Sequence, residues 1–479
     1  NPQSNAPMKF FFLLPLCMLC LLNSKAQEPC GTPLTEEMKS QLLDYHQHKE
    51  AFAASATDRV VQYVPIKFHI IGRSNGSGYY RLANLWTLLC ELNTKYAPTG
   101  FYFYIYGSIQ YIDNDSYFDH DFDSGDEMMN ENNADGATNV YIVNDPAGYC
   151  GYFTWGPDAI SVAKTCNAPG STTLAHELGH YFSLPHPFDD VGSQKEYVNG
   201  TNCSFAGDLF CDTRADFLDY RWSCPYTGSE TDPNGDPYDP DETLYMSYSY
   251  DNCQNNFSSE QMDAMNYNLV FERNDLLNHP APDVAPITGT VQLVYPIDSV
   301  DDIHHDFVPL KWEPVAGADY YHLEVTRAPT FGAQPTEKDL IVYGTAITIG
   351  LEPDKKYHWR VLPVKNGYTC GTWSEPETFF TVLGTGVNEL SQSTEGFKLY
   401  PSLLSEGKQL VVSLNTTTGG PSEIHLIAVD GRTHRSIPVK MIAGENNWYV
   451  STGGLATGIY LVKVLAEGKV FQQKFVVTE

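Results

Sequence analysis

His176 and His180, with Glu177 between them, constrain this chain more than any other feature. Four residues apart on a helix, the two imidazoles stand on one face and can reach a single metal ion, while Glu177 projects beside them. A catalytic zinc takes three protein ligands and keeps a fourth position for water. His186 is placed to be the third. Leu184 precedes Pro185 and is biased away from helical angles, so the helix ends by there and the chain turns back. Three imidazoles and a water then complete a tetrahedron beside a carboxylate.

A chain of 479 residues exceeds what one core usually holds, and two to four domains are expected. The formal net charge of −30 excludes nucleic acid as a partner, because a phosphate backbone demands a basic footprint. No internal run is long and apolar enough to span a bilayer. Met8 to Leu22, followed by small residues up to Ala26, reads as a secretory leader cut after Ala26, with residues 1–7 an upstream extension. Export permits disulfides. Of eleven cysteines, Cys17 and Cys20 fall in the leader, and the remaining odd number leaves at least one thiol unpaired or paired outside the chain.

Residues 27–59 are polar and helical in composition and read as a prosegment. Its Cys30 has two readings, a thiolate ligand that fills the open position of the metal or half of a disulfide with Cys90. The catalytic domain is expected over 60–278. It opens with a strand at 62–71, a helix at 82–93 whose apolar residues recur at helical spacing, and strands at 101–106 and 139–143. The strand 159–163, the last before the zinc helix, is expected to be the sheet edge, where an extended peptide can satisfy its backbone groups. Cys150 and Cys166 flank it and are expected to clamp it. The acidic stretch 232–242 reads as a calcium loop or a solvated loop, although its glycine is misplaced for an EF-hand.

A second stretch, Leu244-Tyr245-Met246-Ser247-Tyr248-Ser249-Tyr250, resembles the methionine turn beneath the zinc of metzincin proteases. From about Val60 to Leu277 the chain resembles the pappalysin family of metzincins. The residues that carry this are Leu184-Pro185-His186-Pro187-Phe188, Gly207-Asp208-Leu209-Phe210-Cys211-Asp212-Thr213, and the turn continuing through Cys253 to Met262. The resemblance implies an α+β metzincin fold and zinc-dependent hydrolysis of internal peptide bonds of protein or peptide substrates. His176, His180 and His186 would be the metal ligands, Glu177 the general base, Tyr248 a hydrogen-bond donor to the oxyanion, and Met246 a support beneath the ligands. It also implies a substrate antiparallel to the edge strand, disulfides Cys203–Cys224 and Cys211–Cys253, and structural calcium near Asp208 and Asp212. The sequence by itself allows three pairings of those four cysteines. Two departures stand out. Ser183 lies where the family usually has glycine, at a cost of roughly 1–2 kcal/mol if its φ is positive. Arg214 replaces the proline that ends the signature.

Beyond Pro282 the pattern changes to short strands. Residues 286–383 resemble a fibronectin type III domain, with Trp312 and Tyr357 in core roles and the domain spacing or presenting the protease. A polar linker follows over 384–396. Residues 397–479 read as a small β-sandwich with turns at Asp430-Gly431 and Thr457-Gly458, and resemble a sorting domain of the type IX secretion system. That implies secretion machinery as a partner, and release from or attachment to a bacterial cell surface. The expected fold class is therefore multidomain, an α+β metzincin catalytic domain followed by two all-β sandwich domains. The competing function is a cell-surface binding protein with a structural zinc site. Glu177 speaks against it, since a structural site needs neither a base nor a vacant position.

Overall fold

The computed structural model describes residues 27–55, 60–192, 194–306, 308–332, 336–383, 396–405, 407–428, 433–466 and 469–478. The expected leader at 1–26, nearly all of the linker and the Asp430-Gly431 turn lie outside the described residues. The chain divides into two units. One runs to Phe380 apart from Glu352–Asp354; the other comprises that short piece and Thr381 onwards.

The first unit begins with helix α1 (Glu36–Ser55), strand β1 (Gln62–Gly72) and helix α2 (Leu82–Tyr96). Strands β2 (Phe101–Ile105) and β3 (Gln110–Asp113) precede helix α3 (Asp115–Phe118), β4 (Asp119–His120) and helix α4 (Phe122–Asn132). Then come β5 (Thr138–Val143), β6 (Asp145–Pro146), β7 (Gly151–Thr154), β8 (Ala159–Ala163), helix α5 (Thr173–Tyr181) and helix α6 (Ser259–Phe271). The central sheet has the order β2-β1-β5-β8-β7, with β3 also pairing with β1. Its strands run parallel except β7, which is antiparallel to β8. Every residue of β5 is buried, as a parallel strand covered on both faces requires. Helix α2 turns Leu82, Leu85, Trp86, Leu89 and Leu92 inward at helical spacing into the largest core.

The strand expected to form the edge, β8, is interior; β7 lies outside it. With only four residues and no alternation of burial, β7 carries little periodic signal. The exposed side of β7 continues into contact with the segment before α1. Glu28 bridges Tyr149 in parallel register, the Cys150 N–H donates to the Glu28 carbonyl at 2.7 Å, and the Gly31 N–H donates to the Gly151 carbonyl at 2.8 Å.

After α6 the chain is largely β. Two sheets of five and three strands share one core built from Trp312, Leu323, Tyr357, Trp359 and Phe379. Trp312 and Tyr357 are buried in it as expected. This β module is bound to the α/β domain by a disulfide between Cys90 on α2 and Cys370. Polar contacts join them as well. The Trp86 indole N–H donates to His322 at 3.0 Å, the Tyr102 hydroxyl donates to the Gly367 carbonyl at 2.9 Å, and the Ile105 N–H donates to the Asn366 carbonyl at 3.0 Å. In the second unit, two further sheets of three and five strands enclose their own core around Leu410, Val412, Leu426, Val462 and Phe475.

Candidate metal centre

Helix α5 is buried along its whole length, with Glu177 fully buried and His180 1 % exposed. It ends in a left-handed turn. The Ser183 N–H donates to the His180 carbonyl and the Leu184 N–H to the Gly179 carbonyl, both at 2.9 Å, with Ser183 at φ 70°. This is a Schellman closure, in which glycine is the usual occupant of the left-handed position. Serine is held there because its hydroxyl accepts from Asn268 of α6 at 2.7 Å and donates to Gln41 of α1. The turn reverses the chain and returns His186 to His176 and His180.

The three Nε2 atoms lie 3.1–3.3 Å from one another. Nitrogens at 2.0–2.1 Å from one tetrahedral zinc stand about 3.3–3.4 Å apart, so the spacing matches. The chemistry of the donor set matches too. Nδ1 of His176 donates to the Tyr245 carbonyl and Nδ1 of His180 to the Leu184 carbonyl, each at 2.7 Å, while Nδ1 of His186 donates to the Asp189 carboxylate at 3.1 Å. That tautomer leaves three lone pairs facing one point, an arrangement a cation satisfies. Asp189 also accepts from the His186 N–H at 2.9 Å. The sequence reading missed Asp189; its signal is a carboxylate three residues after the third histidine.

Met246 is fully buried against Gly179 of the zinc helix. A Cβ on Gly179 would stand 2.3 Å from its sulfur, so only glycine lets the helix approach the methionine turn this closely. Gly179→Ala should therefore cost about 1–3 kcal/mol and displace Met246. Thermal unfolding together with zinc content checks this, and an unchanged melting temperature and metal content would contradict it.

Glu177 sits against the edge strand, where a Cβ on Gly151 would meet its Oε1 at 2.9 Å. Oε2 accepts from the Thr32 hydroxyl at 3.0 Å and from the Cys30 thiol at 3.5 Å, while Oε1 is buried without a partner. Burial pushes Glu177 up to about 8, against the lowering effect of the Cys30 and Thr32 hydrogen bonds. Cys30 is buried and is the one free cysteine among the described residues. Its sulfur and the three histidine nitrogens all lie within 4.8 Å of one another. Burial and the Glu177 carboxylate raise its thiol well above the usual range. The Tyr248 hydroxyl donates to the Cys30 carbonyl at 3.4 Å, and its ring lies 4.9 Å from that of His186. Burial raises the phenol strongly.

Cys90 bonds to Cys370 and not to Cys30. Cys150–Cys166 forms as expected. The other two pairings differ from those the resemblance implied: the bonds are Cys203–Cys211 and Cys224–Cys253, with Cα separations of 5.1 and 6.1 Å. The cause is local. Tight turns after Gly200 and Asn202 fold Cys203 back toward Cys211, while Trp222 pairs with Tyr248 and Tyr250, laying Cys224 beside the chain that leads to Cys253.

The signature acids have internal partners. Asp208 accepts from the Phe210 N–H at 2.9 Å and from the Thr213 hydroxyl, and Asp212 accepts from the Ser258 hydroxyl at 2.7 Å and the Glu260 N–H at 2.8 Å, where α6 begins. In the acidic stretch, Asp232 accepts the N–H groups of Val198, Asn234 and Asp236 at 2.8–2.9 Å, and Arg214 pairs with Asp239. Among the described residues, neither stretch gathers three ligating side-chain atoms, so the expectation of calcium gains no support.

Residues 155–270 match the family model described as pregnancy-associated plasma protein-A, a peptidase family. This part of the chain is a metalloprotease domain. An extracellular metalloprotease of Neurospora crassa is 28 % identical over 263 residues, 49 % of this chain and 86 % of the relative. One from Arthroderma benhamiae is 26 % identical over 264 residues, 50 % of this chain and 83 % of the relative. Among solved structures, mirolysin in complex with compound 9 is 18 % identical, covering 46 % of this chain and 97 % of its own, with a TM-score of 0.34. The match to the family model spans His176, His180, His186 and Met246.

Proposed function

We propose that the chain is a secreted zinc endopeptidase of the pappalysin kind, held latent by its own N-terminal segment. The observation that carries this is the convergence of three Nε2 lone pairs with Glu177 beside them, each imidazole fixed in its tautomer by a partner at Nδ1. A zinc ion held by His176, His180 and His186 would supply Lewis-acid chemistry, acidifying water and polarising the scissile carbonyl. Glu177 takes the proton of the attacking water and passes it to the leaving amine. Tyr248, freed from the Cys30 carbonyl, donates to the developing oxyanion. Met246 supports the ligands by packing alone.

The substrate is an extended peptide that adds to the outer edge of β7 in place of the N-terminal segment. The segment 28–31 occupies that edge in the opposite sense, parallel to it, and the Cys30 sulfur lies within 4.8 Å of the three histidine nitrogens while the Thr32 hydroxyl donates to Glu177. A closed site of three histidines and a cysteine also suits the second reading, a structural zinc in a binding protein. Glu177, with one buried oxygen unpartnered, favours the enzyme.

Latency separates the two readings. In the intact zinc-loaded chain, Cys30→Ala should raise peptide cleavage by at least about a hundredfold over the parent, as an open position is restored. Chelation should abolish the gain and added zinc restore it. The readings are told apart by intact mass, which confirms an uncut N-terminal segment, together with a fluorogenic peptide library. A silent Cys30→Ala protein with full zinc content would favour the structural site.

The β module continues the same unit as a fibronectin type III-like sandwich. The last unit acts as a type IX secretion sorting domain, directing the enzyme to release or to the cell surface. The extracellular naming of the relatives supports export.

A further inference from the structure

Beside the metal ligands lies a small cavity whose lining includes His176, Glu177, Thr172, Gln254, Arg221 and Pro29. Its place in a substrate complex follows from strand direction. The segment through Pro29 and Cys30 runs parallel to the β7 side, whereas a substrate of the proposed enzyme runs antiparallel. Pro29 precedes Cys30, whose sulfur lies within 4.8 Å of the three ligand nitrogens. In a chain of reversed direction the same spot belongs to the residue after the scissile bond. The cavity is thus the first pocket on the leaving-group side.

Its chemistry is unusual for a side-chain pocket. The walls mix polar and apolar surface, and the cation among them is Arg221. One terminal nitrogen of Arg221 donates to the Ser249 carbonyl at 2.8 Å and the other lies 3.0 Å from the Asp251 carboxylate. Two terminal nitrogens so used do not exhaust five N–H donors. The Arg221 and Asp251 side chains are 29 % and 32 % exposed, so the pair is partly solvated and leaves guanidinium N–H donors for an incoming carboxylate. Arg221 lines the cavity and Asp251 does not. The lining offers an entering carboxylate the Arg221 guanidinium and hydroxyl groups, alongside the Glu177 carboxyl that serves as base; an entering lysine or arginine meets a like charge at Arg221.

We propose that Arg221 is a specificity-determining residue that selects an acidic side chain, glutamate or aspartate, immediately after the cleaved bond. This rests on the peptidase reading, and the experiment separates the two. The full zinc-loaded chain carrying Cys30→Ala is given one peptide scaffold with Glu, Gln, Ala or Arg after the cut. Cleavage before Glu should exceed that before Gln by about 10- to 100-fold in kcat/KM, the range of a charge-assisted hydrogen bond. Arg221→Gln should collapse the ratio toward one, and Arg221→Glu should turn the preference toward Arg, with zinc content and melting temperature confirming that each variant is folded. If either variant fails to fold, the Glu/Gln ratio of the Cys30→Ala chain still decides. Equal cleavage before Glu and Gln, or a preference for Arg, overturns the role of Arg221 while leaving the peptidase reading intact. Cleavage of none of the peptides, nor of a mixed library, overturns both.

Discussion

Glu177→Gln, made in the Cys30→Ala chain so that activity is measurable, should lower kcat/KM by roughly 10²- to 10⁴-fold and leave zinc content unchanged. The amide keeps the shape of the carboxylate and its hydrogen bond with Thr32, but it cannot accept the proton of a water. Because Glu177 is fully buried and makes no bond to the ligand histidines, its replacement removes a desolvated carboxylate without disturbing their tautomers. The melting temperature should accordingly not fall. Single-turnover kinetics on one peptide, with metal content measured on the same preparation, checks both halves. Cleavage by the Gln variant equal to that of its parent would remove Glu177 from the mechanism. Loss of zinc would make it a structural residue instead.

The metal centre was legible because covalent spacing fixes most of it. Two histidines four residues apart on a helix share a face, and a proline after Leu184 forces the chain to leave that helix. The closing geometry at Ser183 was conditional in the sequence, since serine does not announce a positive φ; it is made tolerable by Asn268 and Gln41, far away in the chain. Cys30 was legible as a zinc-competent thiol but not as the unpaired one, because that depends on where Cys90 goes. Its partner, Cys370, is 280 residues distant. The pairing of Cys203, Cys211, Cys224 and Cys253 depends on loops whose course is set by tertiary contacts such as Trp222 against Tyr248. The edge strand was misplaced by one position because β7 is too short to show a period. What stayed invisible was the attachment of the β module, whose contact residues each read as ordinary members of their own element.

That attachment yields the second large effect. Glu324, fully buried on the strand Tyr320–Thr326, accepts from Arg360 at 2.6 and 2.8 Å and from Arg81, which stands just before α2. The side chains of Arg81 and Arg360 are 14 % and 22 % exposed. Glu324→Ala leaves two largely desolvated guanidinium groups without a counter-charge, and breaking a buried pair in this way costs about 3–5 kcal/mol. The cost does not stay in the module. Helix α2 also carries Cys90, and its last residue, Tyr96, donates to the Ala175 carbonyl of the zinc helix at 2.8 Å, next to the first metal ligand. Loss of stability at Glu324 should therefore reach the metal centre. Calorimetry of the zinc-loaded full chain should show the transition that releases metal moving down together with the one that unfolds the module, while Glu313→Ala, on the exposed face of the same module, should stay within about 0.5 kcal/mol of the parent. A module that merely spaces the protease would melt separately, leaving zinc release at its original temperature. Coincident transitions would instead make the β module part of the folded enzyme, so that cutting the chain after α6 should yield a metalloprotease domain deprived of the Cys90–Cys370 disulfide and of the carboxylate that holds Arg81.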